Sequence, residues 1–460
     1  MMELKGKKVL VVGLGKSGLA AALFLRRRGA QVTVSDVRSA EALAKDIPAL
    51  LDEGIMVETG GHGLLTFRRQ DLIVVSPGVP LNTPELAQVR SFGLPVIGEL
   101  ELAARFLKGR TVAITGSNGK TTTTALVGEI LQKAGAPTLV GGNIGVPVVG
   151  LIDQSTDETW SVLEVSSFQL ESTEQFHPSI SVILNITPDH LDRHGSFENY
   201  ALAKERIFAA QDEHDSLVLN ADNARAAQAA SRSTAGVYWF SIEHPVERGA
   251  WVEEGNLVTR AAKDEPVEKV MPLHNVPLKG AHNVENVLAA VCASRLAGVS
   301  AEQIRTAVEA FQAVEHRLEY VATVNGVQFY NDSKATNVDA TAKAVASFSS
   351  GIHLILGGKD KNSDYTTLAP LLRERVRAIY TIGSAAAKIE SELRGVVSIL
   401  TCETLDKAVN AAASDARPGE VVLLAPACSS FDQFDNYEHR GRVFKELVSE
   451  RRGWKVWQRG

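Results

Sequence analysis

Cysteine is scarce in this sequence. The 460 residues include only three cysteines, Cys292, Cys402 and Cys428, and no two of them form a C-x-x-C pair. This spacing argues against a disulfide framework or a structural zinc site and favours a reducing cytoplasm. We expect three buried, inert thiols, because free cysteine behaves as a small core residue.

Strong charge of either sign and long apolar runs are also lacking. The formal net charge is -6, and no basic run with interleaved aromatic residues occurs, which argues against nucleic acid or an anionic membrane as a partner. No run reaches the roughly 18 apolar residues of a membrane span. The first stretch, "MMELKGKKVLVVGLGKSG", has no secretory cleavage pattern. We therefore expect a cytoplasmic protein.

Short β-branched runs alternate with helical stretches, a pattern typical of parallel α/β sheets. "KKVLVVG", "AQVTVSD" and "QDLIVVSPG" are predicted strands of a first unit, with a helix "GLAAALFLRRRG" that Gly29 ends. "GLPVIGELELAARF" is predicted to form its last strand and a linking helix. A second unit begins at "RTVAITG", contains a predicted local β insertion, "GVYWFSIEHPVERGAWVEEGNLVTR", and is followed by a third unit with strands such as "VQFYNDS" and "EVVLLAPA".

The length of the chain supports two or three domains. We predict an α/β protein of three domains: a Rossmann-like domain at 1–99, a central P-loop-type ATPase domain with a mostly parallel sheet at 100–313, and a Rossmann-like C-terminal domain at 314–460. Polar side chains follow several predicted strands, among them Asp36, Ser76 and Glu164. Ligands of open α/β sheets bind at such carboxyl ends of strands, so several ligand sites facing one cleft are expected.

The N-terminal loop "GLGKSG" supplies Gly13, Gly15 and Gly18 between a predicted strand and helix, and Asp36 ends the next strand. Such glycines let backbone amides approach a diphosphate, and the acid stands where a ribose ligand is expected. The motif predicts recognition of a diphosphate and a ribose. It leaves nicotinamide, flavin and a uridine diphosphate sugar open.

A second glycine loop, "TGSNGKTTTT", begins at Thr115. The general pattern G-x-x-x-x-G-K-[ST] requires glycine where Ile114 stands, so the spacing is contracted. Amides at the helix start would still hold phosphate oxygens, with Lys120 at the terminal phosphates and the Thr121 hydroxyl on magnesium. The chain is thus predicted to bind one diphosphate at its N-terminus and a nucleoside triphosphate in its middle.

Further motifs accompany this second loop, in order along nearly the whole chain: "GGNIG", "LEVSSFQLE", "NITPDHLDRHGSFENYALAK", "HNVENVLAA", "HRLE", "YNDSKATN", "GGKDK" and "PACSSFDQFDNYEHRG". With "TGSNGKTTT", this set resembles the Mur ligases, which add amino acids to the peptidoglycan precursor. The resemblance is strongest to the members that add D-glutamate to UDP-N-acetylmuramoyl-L-alanine. It implies a cytoplasmic, monomeric, ATP-dependent carboxylate–amine ligase that works through an acyl phosphate.

The chemistry must hold two anions, the γ-phosphate and the attacking carboxylate, in contact, and divalent cations serve this purpose. The resemblance implies two Mg²⁺ ions. It gives the catalytic residues as Lys120, Glu164, His190 and Lys204, and the metal ligands as Thr121, Glu164, His190 and Lys204. An ammonium would be repelled by the ions, so the resemblance implies that Lys204 is carbamylated by carbon dioxide and offers anionic oxygens.

The resemblance also assigns residues to each substrate. The expected ATP contacts are Gly116, Ser117, Asn118, Gly119, Lys120, Thr121, Thr122, Asn283, Asn286, Arg317 and Asp332. The expected contacts of the uridine diphosphate precursor are Gly15, Lys16, Ser17, Asp36, Arg38, Ser76, Gly78 and Asn143. The expected D-glutamate contacts are Lys334, Thr336, Lys361, Ser430 and Tyr437, where tyrosine replaces the phenylalanine of some relatives.

Alternatives remain open at this stage. A Mur-type ligase for another amino acid, or a folylpolyglutamate synthase, would share the second loop. The N-terminal loop argues against the folate enzyme, and "GGKDKNSD" stands where a meso-diaminopimelate ligase would carry D-N-P-[RA]. A nicotinamide-dependent dehydrogenase would explain the first loop but leave the Lys120 loop unused. A nucleotide-gated regulatory protein would not need Glu164, His190 and Lys204.

Overall fold

The structure is a computed structural model that describes residues 2–312 and 314–453. The predicted domain limits at residues 1, 313 and 460 lie outside the described residues. The chain forms two compact units. The first comprises Met1–Ile186, Arg193–Leu273 and Glu285–Glu309, and the second comprises Thr187–Asp192, His274–Val284 and Ala310–Gly460.

The first sheet of the first unit has five parallel strands in the order β3-β2-β1-β4-β5. The strands are β1 Lys8–Val12, β2 Gln31–Asp36, β3 Met56–Thr59, β4 Leu72–Val75 and β5 Val96–Gly98. The accompanying helices are α1 Lys16–Arg27, α2 Ile47–Asp52, α3 Leu64–Arg68, α4 Pro84–Ser91 and α5 Glu99–Ala104. The three predicted strands and the linking helix are confirmed, and Gly29 follows α1 with a φ of 84°, which glycine adopts without strain.

The second sheet of this unit has nine strands in the order β14-β13-β12-β11-β10-β9-β6-β8-β7. They are β6 Arg110–Thr115, β7 Thr138–Gly142, β8 Trp160–Glu164, β9 Ile180–Ile183, β10 Ser216–Asn220, β11 Gly236–Ser241, β12 Gly249–Glu253, β13 Asn256–Arg260 and β14 Glu268–Pro272. The next helices along the chain are α6 Lys120–Lys133, α7 Ser167–Leu170, α8 Leu191–His194, α9 Phe197–Glu205, α10 Ala224–Ala227, α11 Ala281–Leu296 and α12 Ala301–Ala310.

The predicted local β insertion is wrong in one respect, because its strands are part of the nine-stranded sheet. β11 pairs in parallel with β10 and with β12, and β13 and β14 then continue the sheet in antiparallel fashion. This pairing satisfies backbone groups that an isolated insertion would leave exposed along the edge of β10. Trp251 of β12 is 1% exposed, which anchors the extension.

The second unit contains a six-stranded sheet in the order β15-β16-β20-β17-β18-β19, antiparallel only at β15. Its strands are β15 Glu319–Val324, β16 Val327–Asn331, β17 Ile352–Gly357, β18 Val376–Ile382, β19 Ser398–Glu403 and β20 Val421–Leu424. Its helices are α13 Val338–Ala346, α14 Ala369–Arg375, α15 Ala386–Glu392, α16 Leu405–Asp415 and α17 Tyr437–Gly453. β17 and β20 are buried along their whole length, as parallel strands covered on both faces are.

The predicted state of the cysteines is confirmed: Cys292, Cys402 and Cys428 are all buried thiols. Burial raises the pKa of Cys292 to about 12, so its reactive thiolate is suppressed at neutral pH. Within the part of the chain that the structure describes, no helix is both long enough and apolar enough to cross a bilayer.

Close packing in the first glycine loop requires Gly18 itself. A Cβ added there would lie 1.9 Å from the carbonyl oxygen of Gly13 and 2.7 Å from Oγ of Ser76. Ser76 in turn donates a hydrogen bond of 2.6 Å to the same Gly13 oxygen. Helix α1, the loop and the end of β4 therefore meet without space for a side chain. By contrast, a Cβ at Gly15 would meet no atom within 4 Å.

Replacing Gly18 by alanine should therefore destabilise the first unit. We expect the free energy of unfolding to fall by about 2 kcal/mol, the usual cost of forcing a methyl group into a filled space. Urea titration followed by circular dichroism measures the effect. Gly15→Ala is the matched control in the same loop, and equal unfolding midpoints for the two variants would contradict the packing argument.

Candidate functional site

The first glycine loop is held by the carboxylate of Asp36. Its Oδ2 accepts the backbone N–H of Leu14 at 2.7 Å, and its Oδ1 accepts the backbone N–H of Arg38 at 2.8 Å. The Arg38 guanidinium also binds both carboxylate oxygens and donates to the Leu14 carbonyl. The carboxylate thus fixes the loop and aims Arg38, whose side chain is half exposed.

The charge of Asp36 is strongly stabilised. Burial alone would raise the pKa of this carboxyl, but hydrogen bonds from Arg38 and from the Leu14 amide lower it to about 2. The other residues predicted for the diphosphate surround this core. Gly15, Lys16 and Gly78 are exposed, Ser17 is half-buried, and Ser76 is buried against Gly13. The loop therefore offers cationic side chains and backbone at one edge of the first sheet.

The second glycine loop joins β6 to α6. Gly116 and Gly119 have φ values of 155° and 89°, which side chains rarely adopt. The side chain of Asn185 accepts the Asn118 N–H at 2.9 Å and donates to the Asn118 carbonyl at 3.1 Å. Asn286 packs so closely that a Cβ at Gly119 would lie 2.1 Å from its Oδ1. The loop is held open at the helix N-terminus, the position where backbone amides bind phosphate.

Glu164 ends the buried strand β8 and is 1% exposed. Its Oε2 accepts the hydroxyl of Thr121 at 2.7 Å, and its Oε1 accepts the amide of Asn143 at 2.8 Å. A hydroxyl and a carboxylate offer hard oxygen donors of the kind that Mg²⁺ prefers. The donor set therefore fits a magnesium ion beside the helix N-terminus.

Two lysines converge on one carbonyl of the loop. Nζ of Lys120 and Nζ of Lys204 each donate to the Gly116 oxygen at 2.8 Å. Lys204 is 1% exposed, and its ammonium lies 4.6 Å from the ring centre of Tyr200. Tyr200 also contacts the hydroxyl of Ser117 at 3.1 Å. Lys204 belongs to α9, but its side chain is buried against the second glycine loop. A typical helix lysine is solvated instead.

In the second unit, Asp189 brings three polar side chains together. It accepts the Asn337 amide at 3.0 Å and the Lys361 ammonium at 3.4 Å, and Nε2 of His190 lies 3.7 Å away. His190 has a left-handed φ of 52°. These residues line a cavity of about 570 Å³, large enough for a small polar substrate.

A second group in this unit surrounds Lys334. Its ammonium donates to the Tyr437 hydroxyl at 2.9 Å and lies 4.7 Å from the centre of that ring. The ring of His316 contacts Tyr437 edge-on at 6.4 Å. The tyrosine hydroxyl thus fixes the lysine in a way that phenylalanine could not. Thr336 follows on the same loop, and Ser430, 2% exposed, lies on the loop after β20.

Arg317, Asp332 and His282 form a third group in the second unit. Burial raises the pKa of Asp332 to about 6, against the attraction of Arg317, which lowers it. Burial, with repulsion from Lys343 and Arg317, lowers the pKa of His282 to about 4, so its ring is neutral at pH 7. Asn283 donates to the Lys279 carbonyl at 2.7 Å. At pH 7 these residues combine the Arg317 cation, the carboxylate of Asp332 and the neutral polar groups of His282 and Asn283.

Three residues that organise these groups were not predicted: Asn185, Asp189 and Tyr200. All lie in "NITPDHLDRHGSFENYALAK", the motif that supplied His190 and Lys204. Asn185, two residues beyond the buried strand β9, and Asp189, in the segment that follows, were the available signal, because polar groups there meet the ligand edge of a parallel sheet. Their partners are distant in sequence and could not be deduced.

Comparison with known proteins identifies the family. Residues 7–98 match the MurD-like N-terminal domain of Mur ligases, residues 114–294 match the Mur ligase middle domain, and residues 316–428 match the Mur ligase glutamate ligase domain. The chain therefore belongs to the Mur ligase family and is an ATP-dependent ligase. The predicted fold class, three α/β domains with mostly parallel sheets, is confirmed.

Individual relatives are similar over their full length. The chain is 71% identical over 457 residues to a UDP-N-acetylmuramoylalanine--D-glutamate ligase of Acidobacterium capsulatum, covering 99% of both chains. It is 62% identical over 447 residues to the protein of the same name from Koribacter versatilis, covering 97% of this chain and 98% of that one.

Two solved structures share the fold at low sequence identity. One is a UDP-N-acetylmuramate-alanine ligase, MurC, of Thermotoga maritima, with 20% identity and a TM-score of 0.61 over 96% of this chain and 99% of that chain. The other is a MurF ligase of Thermotoga maritima in complex with ADP, with 17% identity and a TM-score of 0.60 over 98% and 96%.

Replacing Asp36 by asparagine should destabilise the first loop in a pH-dependent way. A lowered carboxyl pKa stabilises the folded state above the ordinary value of 3.8, and this contribution is lost as the pH falls towards about 2. We expect a loss of about 2 kcal/mol at pH 7, because Arg38 and the Leu14 amide lose a charged acceptor.

Urea titrations of wild type and Asp36→Asn at pH 7, 4 and 3 measure this difference, which should shrink at the lowest pH. Asp52→Asn, at an exposed carboxylate of the same unit, is the control. A difference that is constant over this pH range would contradict the assignment.

Proposed function

We propose that this protein joins D-glutamate to UDP-N-acetylmuramoyl-L-alanine with hydrolysis of ATP to ADP and phosphate, in peptidoglycan precursor synthesis. The ATP γ-phosphate activates the carboxylate of the precursor as an acyl phosphate, which the amine of D-glutamate then attacks. The observation that carries the proposal is the 71% identity over 457 residues to a relative named for this reaction. The Glu164 cluster beside the second glycine loop supports it.

The first unit would bind the precursor and the phosphates of ATP. The uridine diphosphate would lie against the first loop, at Gly15, Lys16, Ser17, Asp36, Arg38, Ser76 and Gly78, with Asn143 near the reacting end. ATP would contact Gly116, Ser117, Asn118, Gly119, Lys120, Thr121, Thr122 and Asn286. Because Asp36 already binds Arg38 and the Leu14 amide, its contribution would be to position these two groups.

The second unit would supply the remaining contacts. Asn283, Arg317 and Asp332 would serve the nucleoside and phosphates of ATP, and Lys334, Thr336, Lys361, Ser430 and Tyr437 would serve D-glutamate. Two carboxylates on the substrate call for cations and hydroxyl donors, and Lys334, Lys361 and Tyr437 provide them. The proposed domains are 1–99, 100–313 and 314–460. We place the protein in the cytoplasm as a monomer that acts on small molecules, with neither nucleic acid nor a membrane as a partner.

Metal binding follows from the donors of the first unit. Thr121 and Glu164 would hold Mg²⁺, which supplies charge neutralisation between phosphate and carboxylate, with His190 as a further ligand. Carbamylated Lys204 would add anionic oxygens for a second ion. Nζ of Lys204 lies 2.8 Å from the Gly116 carbonyl in the interior of the loop, so the modified group would remain beside the phosphate-binding backbone.

Phosphate release tests the proposed reaction. With ATP, Mg²⁺ and UDP-N-acetylmuramoyl-L-alanine, we expect release with D-glutamate and a product heavier by one glutamyl residue. L-glutamate, L-alanine, meso-diaminopimelate and L-lysine serve as controls. Release with another amino acid would overturn the substrate assignment, and the absence of release with every amino acid, together with quenching of nicotinamide fluorescence, would favour the dehydrogenase.

The carbamate is tested separately by Lys204→Ala. We expect activity to fall about 100-fold or more, because a ligand of the site is lost. Acetate or propionate at high concentration should restore part of it by supplying a carboxylate, and chloride should not. Wild-type protein incubated with ¹³C-bicarbonate should give a carbamate carbon signal in the NMR spectrum, and this signal should be missing in Lys204→Arg. A labelled signal that persists in Lys204→Arg, or full activity of Lys204→Ala, would contradict the modification.

A further inference from the structure

Arg440 is a buried arginine next to the residues assigned to the amino-acid substrate. It belongs to helix α17 and is 0% exposed. Its motif, "DNYEHRG", also contains Tyr437, yet the proposed reaction gives Arg440 no role. Long charged side chains are rarely buried completely unless they are paired, so this position requires an explanation.

All three guanidinium nitrogens donate hydrogen bonds, and every acceptor is a neutral oxygen. Nε donates to the Ser333 hydroxyl at 3.0 Å, and Nη2 donates to the carbonyls of Ser333 at 2.8 Å and Cys428 at 3.2 Å. Nη1 donates to the carbonyls of Cys428 at 3.2 Å and Ser429 at 3.4 Å. All three nitrogens of the guanidinium thus have acceptors, but these neutral oxygens do not neutralise its charge.

The charge itself persists at neutral pH. Burial lowers the pKa of Arg440 to about 10, which still leaves the guanidinium protonated. Among the ion pairs of the described residues, none includes Arg440. Asp432, the carboxylate whose field reaches it, accepts the Ser384 N–H at 2.9 Å instead. A buried cation without a carboxylate partner is costly and attracts an anion to its surroundings.

The bonds of Arg440 connect two loops that leave neighbouring strands. β16 and β20 are paired in parallel, with Asn331 opposite Leu424, so both loops start from the same edge of the sheet. Ser333 precedes Lys334 on the first loop, and Ser429 precedes Ser430 on the second. Each of the two loops therefore carries a predicted substrate residue directly beside its bond to Arg440.

We propose that Arg440 is a positioning residue for the amino-acid substrate: its guanidinium fixes the loops of Lys334 and Ser430 to each other, and its unneutralised charge favours a substrate with two carboxylates. This inference rests on the proposed function. Arg440 does not contact the substrate; it acts through the two loops and through its electrostatic field. Two properties are thus combined in one side chain, the forked geometry and the charge, and substitutions can separate them.

Steady-state kinetics of Arg440→Gln and Arg440→Lys test both properties. For Arg440→Gln we expect the KM for D-glutamate to rise about tenfold or more, since charge and fork are both lost. Arg440→Lys keeps the charge but cannot bridge both loops, so its KM should rise less. The KM for ATP should change less than the KM for D-glutamate in both variants, because most of the residues proposed to contact ATP lie in the other unit. General damage to the fold would change both constants.

Arg442→Gln is the matched control, an exposed arginine on the same helix, and should behave like wild type. Ser333→Ala removes one acceptor of Arg440, together with the hydrogen bond of the same hydroxyl to the Tyr437 carbonyl, while four bonds of Arg440 remain. It tests the junction of the two loops if Arg440→Gln does not fold, and a several-fold rise in the KM for D-glutamate is expected. An unchanged KM for D-glutamate in folded Arg440→Gln, or in Ser333→Ala, would overturn the inference. A wild type that is active only with an uncharged or cationic amino acid would instead overturn the proposed function.

Discussion

A carboxylate at the end of a buried strand is stable only if neighbouring segments supply donors to it, and Glu164 imposes this requirement on the nine-stranded sheet. Its two oxygens are met by Thr121, from the first turn of α6, and by Asn143, from the loop after β7. β8 lies between β6 and β7, so the one carboxylate ties together the ends of three adjacent strands. The first turn of α6 follows the second glycine loop, so this carboxylate also fixes the end of that loop.

The second unit applies a different constraint, because its candidate site is built from cations. Asp189 is the acceptor for Lys361, Tyr437 fixes Lys334, and Arg440 has only neutral acceptors. The balance of charge is therefore positive where two carboxylates are expected to bind. The first unit offers carboxylate and hydroxyl oxygens to cations, and the second offers ammonium groups to anions. The proposed reaction requires both kinds of group.

Sequence reasoning worked best where local pattern and chemistry coincide. The strand before each glycine loop and the helix after it were predicted, since a buried run followed by glycines leaves few other structures. Most of the strands that were not predicted lie at sheet edges: β3, β7, β14, β15 and β19. Edge strands are partly exposed, as β3 is along its whole length, so their apolar pattern is less regular. The residues of the site could be nominated by motif, but the pairing of Asp189 with Lys361 could not be deduced, because the two lie 172 residues apart.

The contact between Gly119 and Asn286 has a consequence for how this chain can vary. A side chain at 119 would run into Oδ1 of Asn286 at 2.1 Å, and the φ of 89° disfavours it in any case. Shortening Asn286 first would open the space but remove a polar group from beside the loop. Neither a substitution of Gly119 nor one of Asn286 is neutral by itself. We therefore expect substitutions at the two positions to depend on each other, although 166 residues lie between them in the sequence.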